Sequence, residues 1–182
     1  MWKLLLCLVF AVSAVAGPWK EYQCKLPTDS YMDGDSFKGT ATTGYTYIWR
    51  LYGIDCPETD DRQPDRVKAQ AKHFGIDEKE VLKWGEKAAK FTKKTLAKGF
   101  TVHTKKEKAR GASDKQRYYA IVLVGEKNLA EMLVEEGYAR AFGMPVYSPL
   151  GRGVDKEQFM RLLERAERKA KREKKGIWAA GG

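Results

Sequence analysis

Histidine and cysteine are scarce in this sequence. The 182-residue chain has two histidines and three cysteines, and neither Cys24 nor Cys56 has a histidine close to it in the sequence. Zinc sites are built from clusters of these two residue types, and a thiol protease pairs its cysteine with a histidine base. The sequence therefore contains neither a zinc-binding pattern nor a thiol-protease pattern.

A long apolar run is also missing. The apolar stretch at residues 4–15 is too short for a comfortable membrane span, follows Lys3, and ends in the small residues Ala14-Val15-Ala16. This pattern predicts a secretory signal peptide at residues 1–16, with an uncleaved anchor as the alternative. We expect residues 17–182 to form one monomeric domain that is secreted or periplasmic and has no stable membrane association.

Acidic residues are fewer than basic residues. Lysine and arginine number 34 against 24 aspartates and glutamates, which gives a formal net charge of +10. A basic surface attracts polyanions and steers their encounter with the protein. Charge alone leaves three interpretations open: a nucleic-acid partner, another anionic surface, or a soluble basic protein with no such partner.

The acidic residues that are present form a cluster in the N-terminal third. Asp33-Gly34-Asp35 precedes Arg50, and Asp55-Cys56-Pro57-Glu58 follows it. Carboxylates are hard oxygen ligands that suit Ca²⁺ or Mg²⁺, a carboxylate outside the metal shell can act as a base, and an arginine fork fits a phosphate. These are the parts of a metal-assisted phosphodiesterase.

Neither acidic segment is decisive alone. Asp-Gly-Asp is common in turns, and the second segment is compatible with an ordinary strand exit. An EF-hand loop starting at Asp33 would need oxygen ligands at Phe37 and Gly44, so that type of calcium site is excluded. The joint pattern carries the hypothesis, because two predicted strands of a hairpin connect the acidic segments and Arg50 lies on the second strand.

Residue patterns predict strands first and helices later. Strands are predicted at residues 19–26, 37–43, 45–54, 100–104 and 118–124. Helices are predicted at residues 66–74, 78–97, 128–136 and 155–174. The last helix has an expected buried face of Phe159, Leu162, Leu163, Ala166 and Ala170. Five strands in a meander, followed by packed helices, fit a small Greek-key barrel.

Four sequence segments, in order, resemble the thermonuclease (staphylococcal nuclease-like) family. They are the run from Asp33 to Phe37, the run from Arg50 to Thr59, the run from Trp84 to Lys94, and Gly176-Ile177-Trp178. The matches extend from about residue 20 to residue 178. The resemblance implies an α+β fold, namely a five-stranded OB-fold β-barrel with three packed helices.

The resemblance also implies a Ca²⁺ cofactor and its ligands. Asp35 and Asp55 would bind the ion through carboxylates, and Cys56 would bind it through its backbone carbonyl. This chain has cysteine where the family usually has threonine, but a carbonyl ligand does not depend on the side chain. Asp33 would lie behind the ligands and orient water.

By the same resemblance, the catalytic residues would be Arg50, Glu58 and Arg117. Glu58 would be the general base, and the two arginines would hold the phosphate and stabilise the transition state. The chain is one residue shorter than the family near Arg117, and Arg110 is the alternative second arginine. Lys115 and Tyr147 are further residues that we assign to substrate binding.

These assignments predict a secreted, Ca²⁺-dependent endonuclease that hydrolyses DNA and RNA to products with 3′-phosphates. Two other classes remain open. The chain could be a non-catalytic OB-fold nucleic-acid-binding module, or a basic structural protein of the cell envelope. A degenerate binding module typically loses the acids and arginines that are retained here.

Two features depart from the family. A helical insertion lies near residues 60–77, and it is either a surface elaboration or a flap that grips substrate. Removal of the signal peptide would leave Cys24 and Cys56 as the only cysteines in an oxidising compartment, which favours a disulfide between them. The location of Cys56 in the expected metal loop argues against that pairing.

Overall fold

The computed structural model describes residues 18–29, 32–110, 115–146 and 156–181. The predicted signal peptide and Tyr147 lie outside the described residues. Within this part of the chain, no helix has the length and apolarity needed to cross a membrane.

The strands build a closed barrel. They are β1 (Lys20–Lys25), β2 (Ser36–Ala41), β3 (Thr46–Leu51), β4 (Ile54–Asp55), β5 (Phe100–Thr104), β6 (Tyr118–Val124), β7 (Lys127–Asn128) and β8 (Arg140–Ala141). The main sheet has the order β3-β2-β1-β5-β6-β7, and a parallel pairing of β3 with β6 closes it into a five-stranded barrel. β4 and β8 form a separate antiparallel pair beside the barrel. The predicted OB-fold barrel is confirmed.

Helices pack around the barrel. The described residues form α1 (Pro64–Phe74), α2 (Glu78–Leu96), α3 (Leu129–Glu135) and α4 (Lys156–Arg172), followed by a 3₁₀ helix at Gly176–Ala179. α2, α3 and α4 correspond to the three helices of the expected fold. α1 is additional and lies in the predicted insertion, where it packs on α2 through Val67, Ala71 and Val81.

Strand alternation separates the core from the site. Successive side chains of a strand point to opposite faces. Trp49 and Leu51 are buried in the main hydrophobic core, and Arg50 between them points outward, where it forms ion pairs. The same strand therefore contributes to the barrel core and to the acidic site.

A glycine turn ends the third strand earlier than the sequence pattern predicts. We expected one strand over residues 45–54, but β3 ends at Leu51, and Gly53 then adopts a φ of +73°. A Cβ at this position would lie 2.6 Å from Phe159 of α4. Because only glycine combines this dihedral angle with such close packing, the chain turns here and begins β4, which carries Asp55.

The buried face of α4 differs from the predicted face at two positions. Leu162 is 43% exposed, and Glu167 is buried with 8% exposure. The Glu167 carboxylate accepts a 2.7 Å hydrogen bond from the backbone N–H of Ala141 and pairs with Lys171 at 2.5 Å. These partners explain how Glu167, which the predicted face does not include, can be buried, and they attach α4 to β8.

The predicted disulfide between Cys24 and Cys56 is wrong for this structure, in which both are buried free thiols. Cys24 lies on β1 opposite Ala41 and Phe100 in the barrel wall. Cys56 instead packs on the segment of Gly34, where an added Cβ would meet its sulfur at 2.7 Å. Burial raises the pKa of the Cys24 thiol to about 11 and that of Cys56 well above its ordinary value.

Candidate active site

The hairpin of β2 and β3 brings the first acidic segment to Arg50. Ser36 pairs with Arg50 in the strand register, and the Leu51 N–H donates to the backbone carbonyl of Asp35 over 2.9 Å. These contacts place Asp35 directly beside the outward-pointing guanidinium. Arg50 Nη1 is in close contact with Asp35 Oδ1, and its Nη2 donates to Asp55 Oδ1 over 3.2 Å. One arginine therefore joins both predicted carboxylate ligands.

Asp55 is the centre of the charged cluster. Its carboxylate is 1% exposed and accepts hydrogen bonds from three arginines. Arg66 of α1 donates to Oδ1 over 2.8 Å, and Arg140 of β8 donates to Oδ2 over 3.0 and 2.8 Å. Burial by itself would raise the pKa of Asp55, but Arg50, Arg66 and Arg140 outweigh it and hold this pKa below the ordinary value.

The short strand pair β4–β8 explains how Arg140 reaches the site. Asp55 and Arg140 are direct partners in the register of this pair. The next residue, Ala141, is held by Glu167 of α4 through its backbone N–H. Arg140 is 14% exposed at its side chain, and its guanidinium also lies 4.4 Å from the ring centroid of Phe142. The last helix thus supports the site through β8.

Gln70 of α1 holds the loop that follows β4. Its side-chain amide donates to Asp55 Oδ2 over 3.0 Å and to the Cys56 carbonyl over 2.9 Å. Its carbonyl oxygen accepts from the Glu58 N–H over 2.9 Å. Gln70 is 1% exposed, so its hydrogen bonds are shielded from water and fix the loop firmly. The Cys56 N–H in turn donates to Asp35 Oδ2 over 2.8 Å.

Glu58 lies at the outer edge of the cluster. Its carboxylate pairs with Arg66, whose Nε and Nη2 lie 2.8 and 2.5 Å from Glu58 Oε1. Burial raises the pKa of Glu58 above its ordinary value, although Arg66 opposes the shift. A raised pKa suits a general base, because the group then accepts a proton more readily near neutral pH. The backbone of Glu58 packs directly on Gly85 of α2, where a Cβ would lie 2.0 Å from the Glu58 carbonyl oxygen.

Asp33 is the fourth acid of the cluster. Burial and the nearby carboxylates of Asp35 and Glu58 raise its pKa to about 8. Its backbone N–H donates to the Ser36 carbonyl over 2.7 Å, and its side chain accepts from the Gly34 N–H over 3.2 Å. These local bonds form the turn into β2. The Asp33 carboxyl therefore takes up a proton more readily than an exposed aspartate does.

The second predicted arginine lies beside the first. Arg117 Nη1 and Arg50 Nη1 are each 3.4 Å from the Ser36 hydroxyl oxygen, so the two guanidiniums flank one point at the start of β2. Arg110 contributes its backbone carbonyl to Arg117 Nη2 at 3.3 Å. This geometry favours Arg117 over Arg110 as the partner of Arg50. Lys115 is exposed just before β6, and its role stays a prediction.

The sequence patterns assign no place in the acidic cluster to Arg66, Gln70 or Arg140, although Arg66 is one of the basic residues of the insertion considered as a substrate-gripping flap. The signal for the first two was available in part, because they are four residues apart in a predicted helix and so lie on one face. Arg140 gave no local signal, because it is 85 residues from Asp55 in the chain. The insertion is therefore more than a surface elaboration, since α1 contributes two side chains that contact the acidic cluster.

The oxygen donors of the cluster match the ligands that Ca²⁺ prefers. The Asp35 and Asp55 carboxylates and the Cys56 carbonyl are the hard oxygen donors that this ion prefers, and they lie within one hydrogen-bonded network. Both Asp55 oxygens, however, already accept bonds from guanidinium or amide groups. In the described residues, no three or more Asp, Glu, His or Cys side chains are grouped to hold a metal. The chemistry fits Ca²⁺, provided that a guanidinium moves aside.

Together, the closed barrel and the carboxylate–arginine cluster define an OB-fold protein with a charged candidate site beside the barrel. A family model described as staphylococcal nuclease homologue matches residues 49–180, which is more than half of the chain. The protein belongs to this nuclease family, and the resemblance inferred from the sequence is confirmed. The matched region contains Arg50, Asp55, Glu58 and Arg117, whereas Asp33 and Asp35 precede it.

Proposed function

We propose that this protein is a secreted or periplasmic Ca²⁺-dependent endonuclease that hydrolyses DNA and RNA to products with 3′-phosphates. One observation carries the proposal. Arg50 joins the carboxylates of Asp35 and Asp55, so acid, base and phosphate-binding groups from separate segments meet in one cluster. Membership of a nuclease family and the net charge of +10 support a polyanionic substrate.

The protein side chains have distinct parts in this reaction. Arg50 and Arg117 hold the phosphodiester between them near Ser36, and they stabilise the charge that develops on its oxygens. Glu58 takes a proton from the attacking water. The water attacks phosphorus in line, and the bond from phosphorus to the 5′-oxygen breaks. That oxygen takes up a proton and leaves as a 5′-hydroxyl, so the phosphate remains on the 3′-side.

Asp35, Asp55 and the Cys56 carbonyl are the groups that would hold Ca²⁺. A bound Ca²⁺ supplies positive charge against the phosphate oxygens. Gln70 keeps the Cys56 carbonyl and the Glu58 backbone in fixed positions relative to Asp55. Asp33 lies behind these residues, and its carboxyl group orients water.

The test is cleavage of plasmid DNA and of RNA by protein lacking residues 1–16. Ca²⁺ should support cleavage, Mg²⁺ should support it poorly, and excess chelator should abolish it, because a flexible carboxylate and carbonyl site tolerates the larger ion. End-group analysis should find 3′-phosphates. Full activity in chelator would remove the metal from the proposal.

A non-catalytic binding module is the second candidate, favoured by the OB-fold and the basic charge. It predicts binding to polynucleotides that weakens steeply with salt, without cleavage under any metal condition. The retained cluster argues for the nuclease, because a pure binding surface has no need of buried carboxylates paired with Arg50 at Asp35 and Asp55, or of Glu58 joined to Asp55 through Arg66.

A further inference from the structure

Arg66 differs from the other two arginines around Asp55 in its exposure. Its side chain is 41% exposed, whereas those of Arg50 and Arg140 are 15% and 14% exposed. Arg50 is also fixed by Asp35, and Arg140 is carried on a strand that pairs with β4. Arg66 projects from a helix on the solvent side of the cluster. Of the three guanidiniums, it is the one that can move into water without breaking a strand contact.

The charges that form ion pairs around Asp55 are already balanced. The carboxylates of Asp35, Asp55 and Glu58 are matched in formal charge by the three guanidiniums that pair with them, those of Arg50, Arg66 and Arg140. Arg50 and Arg66 both contact Asp55 Oδ1, so their positive charges already lie close together. A divalent cation at the same carboxylates would add two charges to a neutral cluster. The repulsion would then displace the guanidinium that is least tightly held.

The helix itself is held in place while the Arg66 side chain can move. Val67 and Gln70 are buried at 1% exposure. The last residue of α1, Phe74, packs against Trp178 of the 3₁₀ helix with ring centroids 4.9 Å apart. Arginine has a long side chain with several rotatable bonds, so its guanidinium can swing outward without a shift of α1.

Resting on the calcium-dependent function proposed above, we propose that Arg66 is a built-in competitor of the divalent cation at Asp55, where a second ion pair with Glu58 holds its guanidinium in place. Its guanidinium occupies these carboxylates when the cation is absent and moves off when the cation binds. The site therefore needs more Ca²⁺ than it would with a neutral residue at position 66. Through this residue the insertion sets the calcium requirement of the enzyme.

The test is isothermal titration of the folded protein with Ca²⁺ alone. Arg66→Ala should bind Ca²⁺ on the order of tenfold more tightly than the wild type, because one competing positive charge has been removed. Arg66→Lys keeps the charge and should stay within about threefold of the wild type. Arg62→Ala is the matched control, because Arg62 lies in the same insertion, is 73% exposed and pairs with Asp60. This control should leave the affinity unchanged.

Thermal unfolding in the absence of Ca²⁺ should confirm that all variants are folded. Unchanged or weaker Ca²⁺ binding by Arg66→Ala would overturn the inference, as would equal tightening by Arg66→Lys. If the wild type binds Ca²⁺ and cleaves but Arg66→Ala does not bind more tightly, the competitor role alone is wrong. If the wild type neither binds Ca²⁺ nor cleaves, the proposed function fails and the competitor role fails with it.

Discussion

The ion pairs around Asp55 and those along α4 both join a carboxylate to arginine, but the first are buried and the second are exposed. Asp55 is 1% exposed and lies among three guanidiniums from separate elements. On α4, Arg168 and Glu164 pair at 3.9 Å within one turn of helix, with side chains 59% and 50% exposed. A buried charge that loses its partner is costly, whereas exposed pairs contribute little to stability.

This difference shows where charge in this molecule matters. With a net charge of +10, many of its basic residues are solvated, and most of the pairs on α4 are local. The cluster around Asp55 is non-local, since its members come from β3, β4, α1 and β8. It forms only where these four elements pack together. Substitutions in the two regions should therefore differ in both activity and stability.

The largest effect on activity is expected from substitution of Glu58, at the outer edge of the cluster. Glu58→Gln keeps the side-chain shape but removes the base, so turnover should fall roughly a hundredfold to ten-thousandfold. Binding to a polynucleotide should persist and weaken steeply as salt rises. Both quantities are measured on one preparation, by initial cleavage rates and by fluorescence anisotropy. Unchanged cleavage would remove Glu58 from the mechanism.

The next effect is on stability. Asp55→Asn removes the anion shared by three buried or half-buried arginines and should lower the free energy of unfolding by about 3–5 kcal/mol. The folded pKa of Asp55 lies below its ordinary value of about 3.9. The stabilisation is therefore fully present above that value and is lost as pH falls through the lower folded pKa.

Urea unfolding of wild type and Asp55→Asn at neutral and acid pH measures this effect. The difference in unfolding free energy between the two proteins should narrow as the pH falls through the folded pKa of Asp55. A gap that stays constant down to the acid limit would show that the carboxylate charge is not what stabilises the cluster.

Substitution of the paired arginines should raise the reaction barrier by about as much free energy as Asp55→Asn removes from stability. Arg50→Lys and Arg117→Lys should each cost roughly 3 to 4 kcal/mol of transition-state stabilisation, or on the order of a hundredfold or more in rate, because lysine cannot make the two parallel contacts of a guanidinium. Arg110→Lys is the control, since the Arg110 contact to Arg117 is through its backbone. If Arg110→Lys lost activity while Arg117→Lys kept it, Arg110 would replace Arg117 as the second phosphate-binding arginine.

The smallest effect is expected on α4. Glu164→Gln removes the same kind of charge as Asp55→Asn but from an exposed helical pair, so the free energy of unfolding should change by less than about 0.5 kcal/mol. The measurement is the same urea titration. A loss approaching that of Asp55→Asn would refute the role that we give to burial.

The sequence predicted the barrel and its main helices correctly, and the reasons are local. Strand and helix periodicity reflect which face of an element is buried, and the predicted α2, at residues 78–97, agrees with the helix found at Glu78–Leu96 to within one residue. The sequence predictions failed where a contact with a residue distant in the chain overrode the local pattern. Gly53 ends β3 because α4 packs against the turn, and Glu167 takes a buried place on α4 because it bonds to β8.

Four of the residues that we propose for the site, Asp35, Arg50, Asp55 and Glu58, could be grouped from the sequence, because they lie in two short segments joined by a hairpin. By itself, the sequence determined the fold class, the nuclease family and the residues proposed for the reaction. Only the tertiary structure decided the partners of Asp55. Arg140 reaches it across 85 residues, and α1 brings Arg66 and Gln70 to it from the insertion. Periodicity and motif spacing act along the chain, whereas the surroundings of a buried charge depend on which elements pack together.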